Sequence, residues 1–493
     1  MSTPALGSKI AFGAIWMVGM RLFIRSIGLI STLILVRLLE PADFGLVAIV
    51  TAIIAAIETM KAFGLEVALI QDQSAGPDEY NTVWTMEIIL AALTSSCIAL
   101  IAAPAAQWYD EPRITSLLYI LAIANFALGF RNVGIVDFRK QLHFARDFRY
   151  NVAIKLIGFI VTISAAWYLR SYWALVIGIV TTKLSGVILS YWMHDFRPRF
   201  SLTSVKKLFR FSKWLLINNL SIVARLRGPD FLVGKFAGAT GLGHYSIAYE
   251  IANMPTTELI APINRALFPG FSKIAHDLPR ARNAFVQASS VVALFSLPIA
   301  LGVSSVAELI GSVVLGEKWL ATIPIIKMLA ISGAVTAVAS PITSAIIAMG
   351  RPAWVSMAAV INACIVLPTV ALMASADGAV GAARAVMITT LCFLPVYFTL
   401  AFRLLRLDIF DIVNILFRPT VAAITMFVCV RQVLALTALP AINLMLAATI
   451  GAVVYLITLL LFWSIMPRTS VSGERYLFER IRPFVAKFGA GSQ

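Results

Sequence analysis

Runs of about twenty consecutive apolar residues, repeated along almost the whole chain, constrain this sequence more than any other feature. A helix rises about 1.5 Å per residue, so a run of ~20 crosses a hydrocarbon core of ~30 Å. Such a helix also pairs its own backbone N–H and C=O groups, as lipid requires. Fourteen windows fit, near 10–37, 42–63, 81–106, 114–135, 148–169, 172–194, 209–235, 242–267, 284–314, 320–348, 353–374, 379–402, 411–436 and 441–466. A membrane barrel would instead show alternating segments of ~10 residues. Composition agrees, with 60% apolar and 13% charged side chains in 493 residues, against about 45–50% and 25% in soluble domains. The expected fold is an all-α polytopic membrane protein, which excludes a soluble multidomain enzyme and a peripheral protein on one anchor. The first apolar run reaches about Leu39 without a small-residue cleavage point and reads as a retained span.

The net charge of +16 does not indicate a nucleic-acid binder, because the basic residues occupy short loops between apolar runs. Alternate loops are rich in them: Arg139, Lys140, Arg146 and Arg149 in one, Arg197, Arg199, Lys206 and Lys207 in the next, then Lys273, Arg280 and Arg282. The positive-inside rule puts these in the cytoplasm, with anionic headgroups as secondary partners. Both termini then fall inside, as an even span count requires. The tail 469–493 mixes basic and aromatic residues and is expected to lie on the inner surface. The ten Trp and twelve Tyr residues suit interfacial belts.

An internal echo divides the chain. The exit of the first span reads Leu35-Val36-Arg37 through Pro41-Ala42-Asp43-Phe44-Gly45, and the exit of the seventh reads Leu232-Val233-Gly234-Lys235 through Ala239-Thr240-Gly241-Leu242-Gly243. An even number of spans separates the copies, which predicts a parallel repeat of two six-helix lobes around a central cavity. The expected divisions are 1–200, 201–405, two extra spans at 406–468, and the tail.

Catalytic constellations are missing from the sequence. Gly311 to Lys318 imitates a phosphate loop, but Glu317 stands where the lysine is required. Gly238, Gly241 and Gly243 read as a tight turn. The cysteines Cys97, Cys364, Cys392 and Cys429 lie in apolar runs without metal-site spacing. No enzyme activity, metal or cofactor is indicated.

The informative residues are charges inside spans, each costing ~2.5–3.5 kcal/mol on insertion scales and so directed to a polar interior. Arg21 and Arg25 lie four apart on one face of the first span, at depths of ~16 Å and ~22 Å from a start near Ile10. The sequence places no acid one turn away on that face. Two guanidinium forks suit an anionic, phosphate-bearing ligand. The seventh span carries Arg225, Arg227 and Asp230, with Pro229 expected to interrupt the helix. Lys327 and Arg384 complete the candidate cationic cavity, and Glu58, Asp230 and Glu250 are candidates for ion coupling. Lys155, Lys183 and Glu308 read as lying near span ends, in ion pairs or snorkelling to the surface.

At these residues the chain resembles a known family. Arg37-Leu-Leu-Glu-Pro-Ala-Asp-Phe-Gly-Leu-Val-Ala48 and Phe63-Gly-Leu-Glu-Val-Ala-Leu-Ile-Gln71 are similar to the N-terminal signature of the Wzx-type polysaccharide flippases, within the multidrug/oligosaccharidyl-lipid/polysaccharide exporter superfamily. Phe211-Ser-Lys-Trp214, Asp230-Phe-Leu-Val-Gly-Lys235, Leu242-Gly-His-Tyr-Ser-Ile-Ala248, Phe268-Pro-Gly-Phe-Ser272 and Leu315-Gly-Glu-Lys-Trp319 follow in order. The nearest likeness is to the exopolysaccharide branch, of the colanic-acid and succinoglycan kind. Arg227-Gly-Pro-Asp230 departs from the family's smoother helix.

The resemblance implies fourteen spans, alternating access and a bacterial inner-membrane location. It also implies an undecaprenyl-pyrophosphate-linked oligosaccharide as substrate, with a polysaccharide polymerase and co-polymerase as partners. A cation-coupled drug antiporter of the same superfamily is the alternative, disfavoured by the basic first span.

The topology is open to a direct test. A Thr203→Cys variant in intact cells is expected to resist a membrane-impermeant thiol reagent; labelling from outside would reverse the orientation.

Overall fold

The computed structural model describes residues 3–59, 65–434 and 440–465, and the expected surface tail lies outside them. Every long element among the described residues is a helix. In order they are α1 (Thr3–Leu38), α2 (Pro41–Glu58), α3 (Leu65–Gln71), α4 (Pro77–Tyr109), α5 (Arg113–Leu128), α6 (Asp137–Lys140), α7 (Phe144–Leu169) and α8 (Trp173–Met193). Then follow α9 (Val205–Ile274), α10 (Leu278–Ser305), α11 (Ala307–Leu309), α12 (Ile323–Ala348), α13 (Pro352–Leu405), α14 (Ile409–Leu434) and α15 (Pro440–Ile465). Ten of the described helices are long and apolar enough to cross a membrane, or up to eleven when α5 and the bent segment after it count as one span. The chain forms two compact units, Met1–Gly243 and His244–Gln493.

Helix starts follow local chemistry. Pro41 and Pro77 open α2 and α4, where a missing N–H costs nothing. Carboxylates reach back to the preceding backbone, the Glu40 N–H donating to Asp43 Oδ2 at 3.0 Å and the Gly76 N–H to Glu79 Oε2 at 3.0 Å. Two very long helices are broken at glycine. Gly238 within α9 and Gly378 within α13 take φ of +66° and +58°, left-handed values that a Cβ would strain. The α13 break lies between the windows read at 353–374 and 379–402, and the α9 break between those at 209–235 and 242–267.

Three expectations are corrected. Pro229 does not interrupt its helix, which runs on to Gly238. A missing N–H is tolerated there as it is in other membrane helices, and Arg227 bridges to Asp230 at 3.1 Å in the same stretch. The window 114–135 is not one straight helix, because α5 stops at Leu128 and the chain turns by 72° into Val133–Lys140. There the Asn132 N–H donates to Ser190 Oγ at 2.9 Å, and the Asn132 side chain caps Gly134. The window 284–314 also divides, since α10 ends at Ser305 and a wide π turn covers Ile310–Leu315.

In the N-terminal unit, small residues let helix backbones approach closely, as expected where lipid gives no hydrophobic drive to helix pairing. A Cβ on Gly158 of α7 would strike the Thr182 hydroxyl of α8, and one on Gly178 of α8 would strike Thr162 of α7. Both hydroxyls donate back along their own helix, Thr162 to Gly158 O at 2.6 Å and Thr182 to Gly178 O at 2.7 Å. The helix α1 lies on α7 through Trp16 and Phe23, both against Phe148. In the C-terminal unit, Phe285, Ile342, Phe398 and Ile415 form a core shared by α10, α12, α13 and α14. The Tyr455 hydroxyl of α15 donates to Leu294 O of α10 at 2.7 Å.

The two copies of the sequence echo pack against each other within the N-terminal unit. A Cβ on Gly45 would collide with the Ala239 carbonyl, and a Cβ on Gly243 would collide with the Pro41 carbonyl. Equivalent echo positions therefore exchange equivalent contacts, Gly45 on Ala239 and Gly243 on Pro41, as about a local two-fold. Overpacking here should cost about 1–3 kcal/mol. Gly45→Leu is expected to lower the thermal unfolding midpoint in detergent, whereas Gly19→Leu, with nothing within 4 Å of its Cβ position, should leave it nearly unchanged. Equal midpoints would mean that the Gly45 contact yields without cost.

Candidate functional site

Charged side chains inside the N-terminal unit collect around two cavities. The first, of about 310 Å³, is lined by Glu58 of α2, Glu66 of α3, Glu87 of α4, Asn125 of α5, Arg131 and Lys183 of α8. Glu66 accepts from Arg131 and, at 3.1 Å, from Arg139. Asn125 is buried and donates to Thr94 Oγ1 at 3.2 Å and Ser95 Oγ at 3.1 Å. The second cavity, of about 470 Å³, lies among α1, α2, α7 and α8. Its charged lining is Lys155 and Lys183, set among apolar groups such as Phe44, Phe159 and Ile179.

Lys183 lines both cavities, and its Nζ donates to Glu58 Oε1 at 2.9 Å. That ion pair is only partly exposed, with 17% of the lysine and 35% of the glutamate side chain accessible. In an apolar surround each charge depends on the other, since removing one leaves an uncompensated ion. Lys155 and Lys183 were expected near span ends. As the helices form, both sit near the middle of α7 and α8.

Arg21 and Arg25 are half-buried on α1. Gly28, one turn further, shares their face by helical periodicity. A Cβ at Gly28 would lie 3.9 Å from Lys155 Nζ of α7. The arginine face of α1 therefore runs up to the lysine of the second cavity.

The other candidates fall elsewhere, mostly beside acids. Arg227 pairs with the largely buried Asp230 at 3.1 Å, and Tyr109 packs there by donating to Phe231 O at 3.4 Å. Arg384 pairs with Asp377 at 2.8 Å, across the break in α13. Lys327 pairs with Glu308 at 2.7 Å, and Arg431 approaches the same carboxylate at 3.5 Å. Glu250 is half-buried in the continuation of α9. The Arg225 side chain lies outside the described part of the structure. Glu308 lies in the short α11, just before the π turn, and its hydrogen bond from Lys327 holds its carboxyl below the usual range. Among the described residues no cluster of His, Cys, Asp and Glu has a metal-binding arrangement.

Of the sequence candidates, Glu58 lines the first cavity and Arg21 and Arg25 share a face of α1, while Lys183, read as an ion-paired or snorkelling residue near a span end, is paired and also lines both cavities. The available signal was its position, ten residues inside a helix with small or hydroxyl residues at Gly178, Thr182 and Gly186. The Lys327–Glu308 pair yields a direct check. Glu308→Ala and Lys327→Ala should be less than additive in thermal unfolding, with a coupling of up to about 1 kcal/mol for so exposed a pair. Because the Glu308 carboxyl is depressed in the folded protein, the coupling should be complete above the ordinary carboxylate range. It should be lost as pH falls through the folded value. Strict additivity would detach Lys327 from Glu308.

Residues 34–324 match the family described as polysaccharide biosynthesis protein. The lipopolysaccharide biosynthesis protein WzxC of Escherichia coli K12 is 26% identical, over 76% of this chain and 77% of its own. The succinoglycan biosynthesis transport protein ExoT of Rhizobium meliloti is 24% identical, over 87% and 88% respectively. Among solved structures, the lipid II flippase MurJ in an inward closed conformation superposes with a TM-score of 0.74 at 14% identity, covering 92% of this chain and 99% of its own. That likeness is one of fold. With more than half its length inside the family match and a succession of membrane-length helices, the chain belongs to the polysaccharide biosynthesis protein family and is a multi-pass protein of the bacterial inner membrane.

Proposed function

We propose that this protein is a flippase that carries a lipid-linked oligosaccharide repeat unit, joined to undecaprenyl pyrophosphate, from the cytoplasmic to the outer face of the inner membrane. Fourteen spans in two six-helix lobes plus two, with both termini in the cytoplasm, alternate between inward-open and outward-open states. The observation that carries the reading is the half-buried Arg21–Arg25 face of α1, on a long apolar helix and continuing toward Lys155. Phosphate oxygens match paired guanidinium forks, and in a low-dielectric cavity the attraction is far stronger than in water. Relatives named for lipopolysaccharide biosynthesis and succinoglycan transport support a surface-polysaccharide repeat unit. Arg225, Arg227, Lys327 and Arg384 contribute further positive charge, with Glu58, Asp230 and Glu250 available for ion coupling. The polymerase and co-polymerase would receive the product.

Export and abundance, measured together in a strain lacking redundant flippases, test this. Deletion should leave lipid-linked repeat units on the inner face and reduce surface polysaccharide. Arg21→Ala or Arg25→Ala should impair export at near-normal abundance, because a lost charge-assisted phosphate contact is worth ~1.5–3 kcal/mol, about 10- to 100-fold in affinity. Arg→Lys should fall between, keeping charge but not the bidentate fork. Intact export in both alanine variants would refute the cationic site. Unchanged polysaccharide with raised sensitivity to cationic dyes would favour a drug antiporter.

A further inference from the structure

The lysine cavity of the N-terminal unit has an unusual charge arrangement. Two ammonium groups, Lys155 and Lys183, line one space of about 470 Å³ whose lining includes no carboxylate. Glu58 reaches Lys183 from the other side, where the 310 Å³ cavity opens. Lys155 forms no ion pair among the described residues. Two cations on one cavity whose other polar lining is hydroxyl, from Ser31, Thr51, Thr162 and Thr182, repel each other, and one carboxylate neutralises only one of them. A single group carrying two negative charges, placed between the lysines, would neutralise both.

We propose that this cavity is a phosphate subsite in which the Glu58 carboxylate holds Lys183 until a ligand phosphate displaces it, and that the released Glu58 takes up a proton. The inference rests on the flippase reading above and adds to it a linkage between substrate and protons. The exchange balances simply. The Lys183–Glu58 ion pair, one phosphate negative charge and one aqueous proton become a Lys183–phosphate pair and a neutral Glu58 carboxylic acid. Protonation relieves a partly buried carboxylate that loses its cation beside two other acids, Glu66 and Glu87. The groups facing the exchange are Glu87 of α4, Glu66 of α3 and Arg131 on the acidic side, and Lys155 of α7 on the other. Glu66 is already held by Arg131 and Arg139, so Glu58 is the acid whose partner the ligand removes. Lys155 Nζ lies beside Gly28 on the Arg21–Arg25 face of α1, so one diphosphate can pass from arginines to lysines without leaving positive charge.

Binding of geranylgeranyl diphosphate to the purified full-length protein in detergent, followed at pH 6, 7 and 8, tests the proposal. Wild-type affinity should rise with falling pH more steeply than that of Glu58→Gln, by one proton, or about tenfold per pH unit. The ligand's own titration is common to both proteins and cancels in that comparison. Glu58→Gln should also bind about tenfold or more tightly at pH 8, since no carboxylate then competes for Lys183. Lys155→Met should weaken binding about tenfold while keeping the wild-type slope, and thermal unfolding of each variant confirms that it is folded. Identical affinity and slope in wild type and Glu58→Gln would overturn the exchange. Wild type that binds no diphosphate, or Arg21→Ala that binds it normally, would instead overturn the flippase reading itself. Inorganic pyrophosphate showing the same extra slope supports recognition of the phosphate group alone. Phosphatidylglycerol competing equally would reassign the cavity to ordinary membrane lipid and overturn its role in substrate binding.

Discussion

The Lys183–Glu58 ion pair exists because hydrocarbon offers a buried charge no other relief. The lysine stands at mid-helix on α8 and the acid at the end of α2, both partly buried, and each would be costly alone. The same requirement explains Arg227 beside Asp230, Arg384 beside Asp377, and Glu66 beside Arg131 and Arg139. It also explains why the two cavities of the N-terminal unit differ in character. The acidic one already contains counter-charges, whereas the lysine one is lined by two cations of which Glu58 balances only Lys183.

Close helix contact decides where the lysines stand. Gly158 and Gly178 bring α7 and α8 near enough for Thr162 and Thr182 to interlock. That approach fixes Lys155 and Lys183 on the walls of one cavity. The same economy of small residues joins the two echo segments, where Gly45 and Gly243 meet each other's backbones. A larger side chain at Gly158 or Gly178 would separate the helices that set the two lysines on one cavity.

Much of the fold is legible in the sequence, because the length and purity of an apolar run decide whether it can cross a membrane. The glycine breaks at Gly238 and Gly378 fall between windows already separated by small and polar residues. The broken helix after Leu128 is not legible in the same way. It depends on Asn132 meeting Ser190 from α8, a partner far along the chain. Pro229 misleads in the opposite sense, since its helix runs on to Gly238 despite the missing backbone donor. For the site, spacing alone shows that Arg21 and Arg25 share a face. It cannot show that Glu58 finds Lys183 across helices, because pairing over such separations is decided by packing. The echo is visible as a repeated phrase, but that its copies touch is visible only in three dimensions.

The central claim is that the cationic face of α1, with the lysines beside it, carries the diphosphate of a lipid-linked sugar across the membrane. Its most direct test is a flipping assay in sealed proteoliposomes, in which a fluorescent oligosaccharide on a polyprenyl diphosphate is followed by a quencher confined to the outside. Wild-type protein should equilibrate the lipid between leaflets, while Arg21→Ala/Arg25→Ala protein, reconstituted in equal amount, should leave it where it started. Equal rates from the double variant, or no flipping by wild type in any imposed pH gradient, would contradict the claim.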